Sequence, residues 1–124
     1  MKALVGALSI AAALAACSAT PDRGTAKEDV CSASQKAATD RVLGVVAANE
    51  TCASDADCST VNVNAACFDV CTRSVNQVGK GAVDRVITLV EAGECKGFTA
   101  AKCSLIPPPC APPRPSRCVS GKCE

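Results

Sequence analysis

The sequence predicts a small disulfide-rich α+β domain, in which two helices pack on a small irregular antiparallel sheet. Three observations predict this class: eleven cysteines in 124 residues, two segments with apolar residues at helical spacing, and one segment that alternates apolar and polar residues. Aromatic residues are scarce, with two phenylalanines and neither tyrosine nor tryptophan. A core of valines and alanines buries little area per residue, so disulfides are expected to supply much of the stability.

The first helix is predicted over residues 26–48. Thr25 and Glu28 fit a capping box, in which the Thr25 hydroxyl caps the helix and Glu28 reaches back to the Thr25 amide. Asn49 is expected to end the helix. The inward face is indicated by apolar residues at separations of seven, four, three and one, namely Cys31, Ala38, Val42, Val45 and Val46.

A half-buried strand is predicted between Cys52 and Cys71. Val61, Val63 and Ala65 alternate there with polar residues, which is the period of a strand with one buried face. Four cysteines fall within the same segment, and this density favours a compact turn, strand and second turn.

The second helix is predicted over residues 75–92. Ser74-Val75-Asn76-Gln77 fits a capping box, and Gly93 occupies the position that commonly follows a helix. Gly79 and Gly81 are expected to weaken the first turns. The predicted apolar stripe consists of Val75, Val78, Ala82, Val86, Leu89 and Val90.

The end of the chain is rich in proline. Six of the seven prolines lie between Cys103 and Cys118, where they exclude a helix and favour polyproline II. Cys118 and Cys123 are expected to close a tight hairpin or to add an edge strand.

The first seventeen residues follow the layout of an export signal. Lys2 precedes an uncharged run, residues 3–16, that is too short to span a bilayer as a helix. Leu14-Ala15-Ala16-Cys17 then resembles the lipobox of bacterial lipoproteins. The resemblance implies that the Cys17 sulfur carries diacylglycerol, that the leader is removed before Cys17, and that the new α-amine is acylated. An ordinary secretory signal with Cys17 as a thiol is the alternative.

This resemblance also implies a location and a domain division. Ser18 stands where an aspartate would favour retention at the inner membrane, so an outer-membrane anchor is expected. The chain then divides into a lipoprotein signal peptide (residues 1–16), a lipid anchor and tether (residues 17–24) and a cysteine-rich, disulfide-stapled domain (residues 25–124). As a flexible coil the tether would span on the order of 15 Å, which keeps the domain close to the membrane.

Lipidation of Cys17 leaves an even number of cysteines in an exported chain. Such a set predicts a framework of up to five disulfides. Their connectivity stays open, because ten cysteines allow about nine hundred pairings. The expected bridge-forming residues are Cys31, Cys52, Cys58, Cys67, Cys71, Cys95, Cys103, Cys110, Cys118 and Cys123.

Composition argues against catalysis and against several partner classes. The chain has no histidine, the commonest general base at neutral pH, and no motif of a catalytic class. Its net charge of +1 gives no reason to expect nucleic-acid binding. No metal or other cofactor is expected, because cysteines of an exported protein pair as disulfides. Asp55-Ala56-Asp57 begins like a calcium loop but lacks the later glycine and glutamate, so its carboxylates are expected to cap a turn.

The resulting expectation is a non-enzymatic binding or structural module, held at the membrane by Cys17 and facing an unidentified envelope partner. The alternative is an inhibitor of an envelope or extracellular serine protease that acts through the Pro-rich loop carrying Arg114 and Arg117. Pro115 would block cleavage after Arg114, which leaves Arg117. A stiff spacer or a polyproline ligand are the other interpretations of this loop.

Two further resemblances bear on function. Cys71-Thr72-Arg73-Ser74 resembles the start of the reactive loop of Bowman–Birk protease inhibitors, but the likeness ends after these four residues. Asp57-Cys58 after Cys52, together with the closing Cys118-Val119-Ser120-Gly121-Lys122-Cys123, is similar to cysteine-rich lipoproteins of myxobacteria. That second likeness implies no particular activity.

Overall fold

The computed structural model describes residues 23–124, which form three α-helices and two small antiparallel sheets. The predicted α+β class is therefore confirmed, with one helix more than expected. The predicted signal peptide, Cys17 and most of the predicted tether lie outside the described residues. Among the described helices, none combines the length and apolar character needed to cross a membrane. In chain order the elements are α1 (Arg23–Ala47), β1 (Cys58–Ala65), β2 (Phe68–Asn76), α2 (Gln77–Ala92), α3 (Glu94–Ala100), β3 (Cys118–Val119) and β4 (Lys122–Cys123).

Helix α1 confirms the predicted inward face but begins earlier than predicted. Ala38, Val42 and Val46 are fully or almost fully buried. Because the helix starts at Arg23, Thr25 lies inside it, and the prediction of an N-cap at Thr25 is wrong. The residues that follow Arg23 include good helix formers, and Gly24 alone does not stop them. At the other end the Asn49 side-chain amide donates to the Val45 carbonyl at 2.8 Å, which agrees with its predicted role as a stop.

Strands β1 and β2 form an antiparallel hairpin beside the helices. Val61 and Val63 of β1 are buried and Thr60, Asn62 and Asn64 are exposed, which confirms the predicted alternation. Strand β2 was not predicted. Ser74 and Val75 belong to it, so the second helix begins later than the capping-box pattern suggests.

A β-bulge interrupts this hairpin. The pairing passes from Asn64↔Asp69 to Asn62↔Thr72, so two residues of β2 lie opposite one residue of β1. The second of these, Cys71, has a left-handed backbone with φ of 64°. The Asp69 carboxylate accepts a hydrogen bond from the Cys71 N–H at 2.8 Å and supports this conformation. Since bulges redirect side chains, this one explains how Cys71 leaves the sheet to bond Cys110.

Helix α2 begins after an asparagine cap, and its buried face agrees with the predicted stripe only in part: Val86 and Val90 are buried as predicted. The Asn76 side-chain oxygen accepts from the Gly79 N–H at 2.8 Å, so Asn76 and not Ser74 is the N-cap. Val78 and Leu89 are 77% and 55% exposed, which corrects their assignment to the apolar stripe. The buried face consists of Gly79, Val83, Val86 and Val90.

Helix α3 follows Gly93 directly and closes the core. Its Cys95 and Phe98 are buried against α1 and α2. The Arg41 guanidinium donates to a Glu94 carboxylate oxygen at 2.8 Å and so joins α1 to the start of α3. The core therefore lies between the three helices and the inner face of the β1–β2 hairpin.

All ten cysteines of the described residues are paired, as predicted. Each bridge joins a cysteine from residues 31–71 to one from residues 95–123, with Cα–Cα distances of 5.1–5.9 Å. The pairs are Cys31–Cys103, Cys52–Cys118, Cys58–Cys123, Cys67–Cys95 and Cys71–Cys110.

The chain ends in the predicted tight hairpin, formed by β3 and β4. Ser120 and Gly121 at its turn have φ of 51° and 79°, the positive values that a type I′ turn requires. The Gly121 carbonyl accepts from the Cys52 N–H at 3.1 Å, and the Cys123 N–H donates to the Glu50 carbonyl at 2.7 Å. These bonds dock the terminal hairpin on the loop before β1.

Candidate functional site

The Pro-rich segment, residues 104–117, crosses the exposed face of the β1–β2 hairpin. The Cys71–Cys110 disulfide holds one point of it. Ser116 holds another, since its hydroxyl lies 2.7 Å from the Thr60 hydroxyl and 3.0 Å from the Ser74 hydroxyl. The segment is thus fixed to both strands of the hairpin.

Hydrogen bonds to their backbone groups fix Arg114 and Arg117, the two arginines that the sequence indicates. The Thr60 hydroxyl donates to the Arg114 carbonyl at 3.3 Å. The Arg117 N–H donates to the Glu124 carbonyl, and the Glu124 N–H donates to the Arg117 carbonyl, both at 2.8 Å. Arg117 is therefore paired with the end of the chain as in an antiparallel ladder.

Three cavities follow one another between the Pro-rich segment and its neighbours. The first, of about 370 Å³, lies beside Asn62 and Asn64. The second, of about 410 Å³, shares Thr72 and Pro112 with the first. The third, of about 430 Å³, shares Arg114 with the second. Together they form one elongated depression, which we call the hairpin groove.

Positive charge collects at one end of the hairpin groove. Arg114 lines the second and third cavities, and Arg117 lines the third. Arg73 is paired with the buried Val61, so its side chain leaves the opposite face of the hairpin, and its guanidinium donates to the Thr72 carbonyl at 3.2 Å. The side chains of Arg73, Arg114 and Arg117 are exposed. In the described residues, no carboxylate oxygen lies within 4.0 Å of their guanidinium nitrogens. Glu124 lines the same two cavities. At the far end Asp69 already accepts the Cys71 N–H.

The carboxylates with shifted pKa values lie outside the groove. The Ala53 and Ser54 N–H groups donate to one oxygen of Asp57 at 2.8 Å and hold the pKa of that carboxyl below its usual range. Asp55 accepts from the Cys118 N–H at 2.8 Å. The expectation that these aspartates cap a turn is confirmed for Asp57, whereas Asp55 joins the turn to strand β3.

Glu94 is the other shifted carboxyl. The hydrogen bond from Arg41 holds its pKa below the usual value for a glutamate. Its second oxygen is buried and has no hydrogen-bond partner. This pair joins two helices, and its role is structural.

Two groups of side chains have metal-ligand spacing. They are Cys52, Cys58 and Cys123, and Asp69, Cys71 and Cys110. Every sulfur among them belongs to a disulfide, and a disulfide sulfur supplies no thiolate to a metal. The Cys110 sulfur lies 3.9 Å from the Asp69 carboxylate oxygen, but a disulfide sulfur carries no hydrogen, so this contact is not a hydrogen bond.

The structure brings some predicted site residues together and adds others. Arg114 and Arg117 lie in the hairpin groove, whereas Cys17 lies outside the described residues. Arg73, which the sequence offers only through its likeness to an inhibitor loop, belongs to β2, and its side chain leaves the opposite face of the hairpin from the groove. Thr60 could be placed outward from the alternation of β1. No signal in the sequence points to Ser116.

Comparison with known proteins gives no relative. No protein-family model, no curated protein and no solved structure matches this chain.

Proposed function

We propose that this protein is a lipid-anchored, disulfide-rich lipoprotein of the cell envelope that acts as a non-enzymatic binding or structural module. The pairing of the cysteines carries the proposal. The ten cysteines of the described residues pair with one another, so none of them is a partner for Cys17 of the lipobox-like Leu14-Ala15-Ala16-Cys17. Five such bridges are typical of an oxidising compartment outside the cytosol.

The anchor would keep the domain close to its membrane. Acyl chains contribute about 0.8 kcal/mol per buried methylene, so a diacylglycerol with a further acyl chain holds a protein durably. Helix α1 begins at Arg23, a few residues after Cys17. Ser18 favours the outer membrane by the lipoprotein pattern, and the exposed face of the domain is then available to envelope partners.

A role without catalysis is supported by the chemistry of the side chains. The chain has no histidine. The pKa values of Asp57 and Glu94 are lowered by structural hydrogen bonds, whereas a general acid or base needs a pKa near the working pH. The hairpin groove offers guanidinium, hydroxyl and amide groups, which suit binding.

The geometry supports binding over protease inhibition. A substrate-like inhibitor presents the backbone around its reactive residue as an unpaired strand for the protease. Both backbone groups of Arg117 are already paired with Glu124. Arg114 is followed by proline, and its carbonyl accepts from Thr60.

Detergent partitioning and intact mass test the anchor. The full chain, expressed in a Gram-negative bacterium, is expected in the detergent phase as a protein that starts at Cys17 and carries the mass of diacylglycerol and an acyl chain. Cys17→Ser should abolish both properties because serine cannot be thioether-linked. Ser18→Ala is the matched control and should keep them. A mature chain that begins elsewhere, or an unmodified Cys17, contradicts the proposal.

A trypsin assay tests the alternative with the same preparation. Micromolar protein is expected to leave the rate of trypsin unchanged. Inhibition that disappears in Arg117→Ala would establish the inhibitor instead.

A further inference from the structure

We propose that residues 104–109, which lie between the Cys31–Cys103 and Cys71–Cys110 bridges, dock into an aromatic-lined groove of a protein partner. We call these residues the proline arch. The inference rests on the proposed function, since it names the partner chemistry of the binding module. It is supported by the apolar surface of the arch, its backbone conformation, its free carbonyl groups, its fixed ends and the aromatic content of the chain.

The surface of the proline arch is apolar and faces solvent. Ile106 is 88% exposed, the highest value among the exposed large apolar side chains of the described residues. The three residues that follow it, Pro107, Pro108 and Pro109, are exposed as well. Leu105, directly before them, is half-buried and packs against the core, so it seats the arch on the domain. Contiguous exposed apolar surface of this kind marks interaction sites, whereas single exposed apolar residues do not.

The backbone of the proline arch favours polyproline II. Proline fixes φ at about −65° at positions 107, 108 and 109, and a residue that precedes proline is disfavoured in the α region. The structure places the arch in neither a helix nor a strand, and every peptide bond of the described residues is trans. Residues three apart share an edge of polyproline II, so Ile106 and Pro109 share one edge and Pro107 lies on the next. Aromatic-lined grooves bind segments of this conformation.

The backbone carbonyls of the proline arch are free to accept hydrogen bonds from a partner. In the part of the chain that the structure describes, no hydrogen bond reaches a carbonyl of residues 104–109. Tryptophan N–H and tyrosine O–H groups are donors attached to aromatic rings, so these side chains satisfy the carbonyls and cover the prolines together. The hydrocarbon of a bilayer supplies no donor, which disfavours insertion of the arch into a membrane.

The aromatic rings of such a groove must come from another protein. The whole sequence has two phenylalanines and neither tyrosine nor tryptophan. Phe68 and Phe98 are 1% and 4% exposed in the core, so a second copy of the chain presents neither ring to the arch. Residues 1–22, which precede the described part, contain no aromatic side chain either.

The two bridges hold the proline arch at both of its ends. Cys103 is bonded to Cys31 of α1, and Cys110 is bonded to Cys71 of β2. The prolines restrict the backbone between these points further. Little conformational freedom therefore remains to be lost on binding, and preorganisation of this kind increases affinity.

The experiment uses the full lipidated chain, with its disulfides intact, in detergent micelles. The probes are a WW domain and a Src-homology domain of the polyproline-binding type, both of which have aromatic-lined grooves. Their tryptophan fluorescence is followed as the chain is added, and the chain has no tryptophan signal of its own. A saturable change is expected with at least one domain at submillimolar chain. Decaproline should reverse this change, because it competes for the same groove.

Matched variants locate the contact on the proline arch. Ile106→Ala and Pro107→Ala should each lower the affinity about fivefold, because each removes apolar area that the groove covers. Val78→Ala shortens a side chain that is 77% exposed on α2 and should leave the affinity unchanged. All three positions are exposed, so the variants are expected to fold, and circular dichroism checks this.

Several results would overturn the inference. They are no saturable change with either domain, binding that decaproline does not reverse, or an equal loss of affinity in Val78→Ala. A dimer of the chain alone that Ile106→Ala dissociates would assign the arch to a second copy. Ile106-dependent flotation of the Cys17→Ser chain with phosphatidylethanolamine vesicles would assign it to the bilayer.

The intact mass of the same preparation separates this inference from the proposed anchor. It reports the lipid at Cys17, so an anchored chain that binds neither domain refutes only the arch. A chain that binds but is unmodified at Cys17 refutes only the anchor.

Discussion

At the scale of single residues, the approach of Gly79 to Asn49 decides which face of α2 is buried. A Cβ atom on Gly79 would lie 2.5 Å from the Asn49 Cβ, closer than real Cβ atoms approach one another, and 3.0 Å from the Val75 Cβ, which is a tight contact. Glycine therefore lets the start of α2 pack directly on the end of α1. Val78, the preceding residue, faces solvent.

We predict opposite effects of alanine at the two glycines of α2. Gly79→Ala should lower the free energy of unfolding by about 1–3 kcal/mol, because the added methyl forces Asn49 or the helix to move. Gly81→Ala meets only the flexible end of Arg85 at 3.6 Å and should raise it by about 0.5–1 kcal/mol. Urea unfolding of both variants checks this. Equal effects of the two substitutions would show that the contact with Asn49 is unimportant.

The sequence could not reveal this role. From the sequence, Gly79 and Gly81 are both only residues of low helix propensity. A close approach between segments distant in the chain cannot be detected from the local spacing of residues. For the same reason the predicted apolar stripe of α2 includes Val78 and Leu89, which are exposed, and omits Val83, which is buried.

At the scale of elements, the bulge in β2 couples the sheet to the Pro-rich segment. Cys71 is the bulged residue, and its bridge to Cys110 crosses between strand and segment. Most residues of this segment are exposed, with Ile106 88% accessible, so few apolar contacts replace the bridge. The Cys67–Cys95 bridge differs, because both of its cysteines are buried in the core.

We predict that loss of the Cys71–Cys110 bridge loosens the Pro-rich segment and leaves the rest folded. The variant is Cys71→Gly with Cys110→Ser, since glycine accepts the positive φ at position 71. Hydrogen exchange of the Arg117 amide, which donates to the Glu124 carbonyl, should accelerate at least tenfold, while amides of β1 remain protected.

The matched control removes the buried Cys67–Cys95 bridge. Cys67→Ala with Cys95→Ala should lower the stability of the whole domain, because it removes two contacts within the core and the cross-link between them. Unchanged exchange of the Arg117 amide in the first variant would show that the segment is held without the Cys71–Cys110 bridge.

The bulge also explains which elements the sequence could predict. α1, β1 and the terminal hairpin were found, since their periodicity or turn signal is continuous. β2 was missed because the bulge breaks its alternation and because Ser74-Val75-Asn76-Gln77 imitates a helix start. α3 is short, and only the spacing of Cys95 and Phe98 hints at it.

At the scale of the whole molecule, the bridges compensate for a small core. Apart from cysteine, its buried side chains are valines, one alanine and two phenylalanines. Each disulfide nominally contributes about 2–4 kcal/mol, although overlapping loops are not additive. Domains of this size have net stabilities of about 5–15 kcal/mol, so the cross-links are decisive.

We predict that complete reduction unfolds the domain. With a phosphine reductant, loss of helical circular dichroism should coincide with the appearance of the ten thiols of the described residues. Wild-type protein without reductant, held under the same conditions, is the control. Full helical signal with all ten thiols free would mean that the core suffices alone.

For the molecule as a whole, cysteine parity predicted the number of bridges, but connectivity required the fold. The pairing depends on which segments lie side by side, as Cys71 and Cys110 do after the bulge. The groove was beyond sequence reasoning for the same reason, because Thr60 and Ser74 meet Ser116 only when the Pro-rich segment lies on the hairpin.

The pairing pattern has a consequence for biogenesis. Every cross-link couples an early cysteine, from residues 31–71, to a late one, from residues 95–123. On the proposed export route the N-terminus would pass the translocon first, so the five early thiols would reach the oxidising side before the cysteines with which they pair. An oxidase acting at that moment could form only non-native disulfides, so maturation on this route would require either delayed oxidation or a disulfide isomerase.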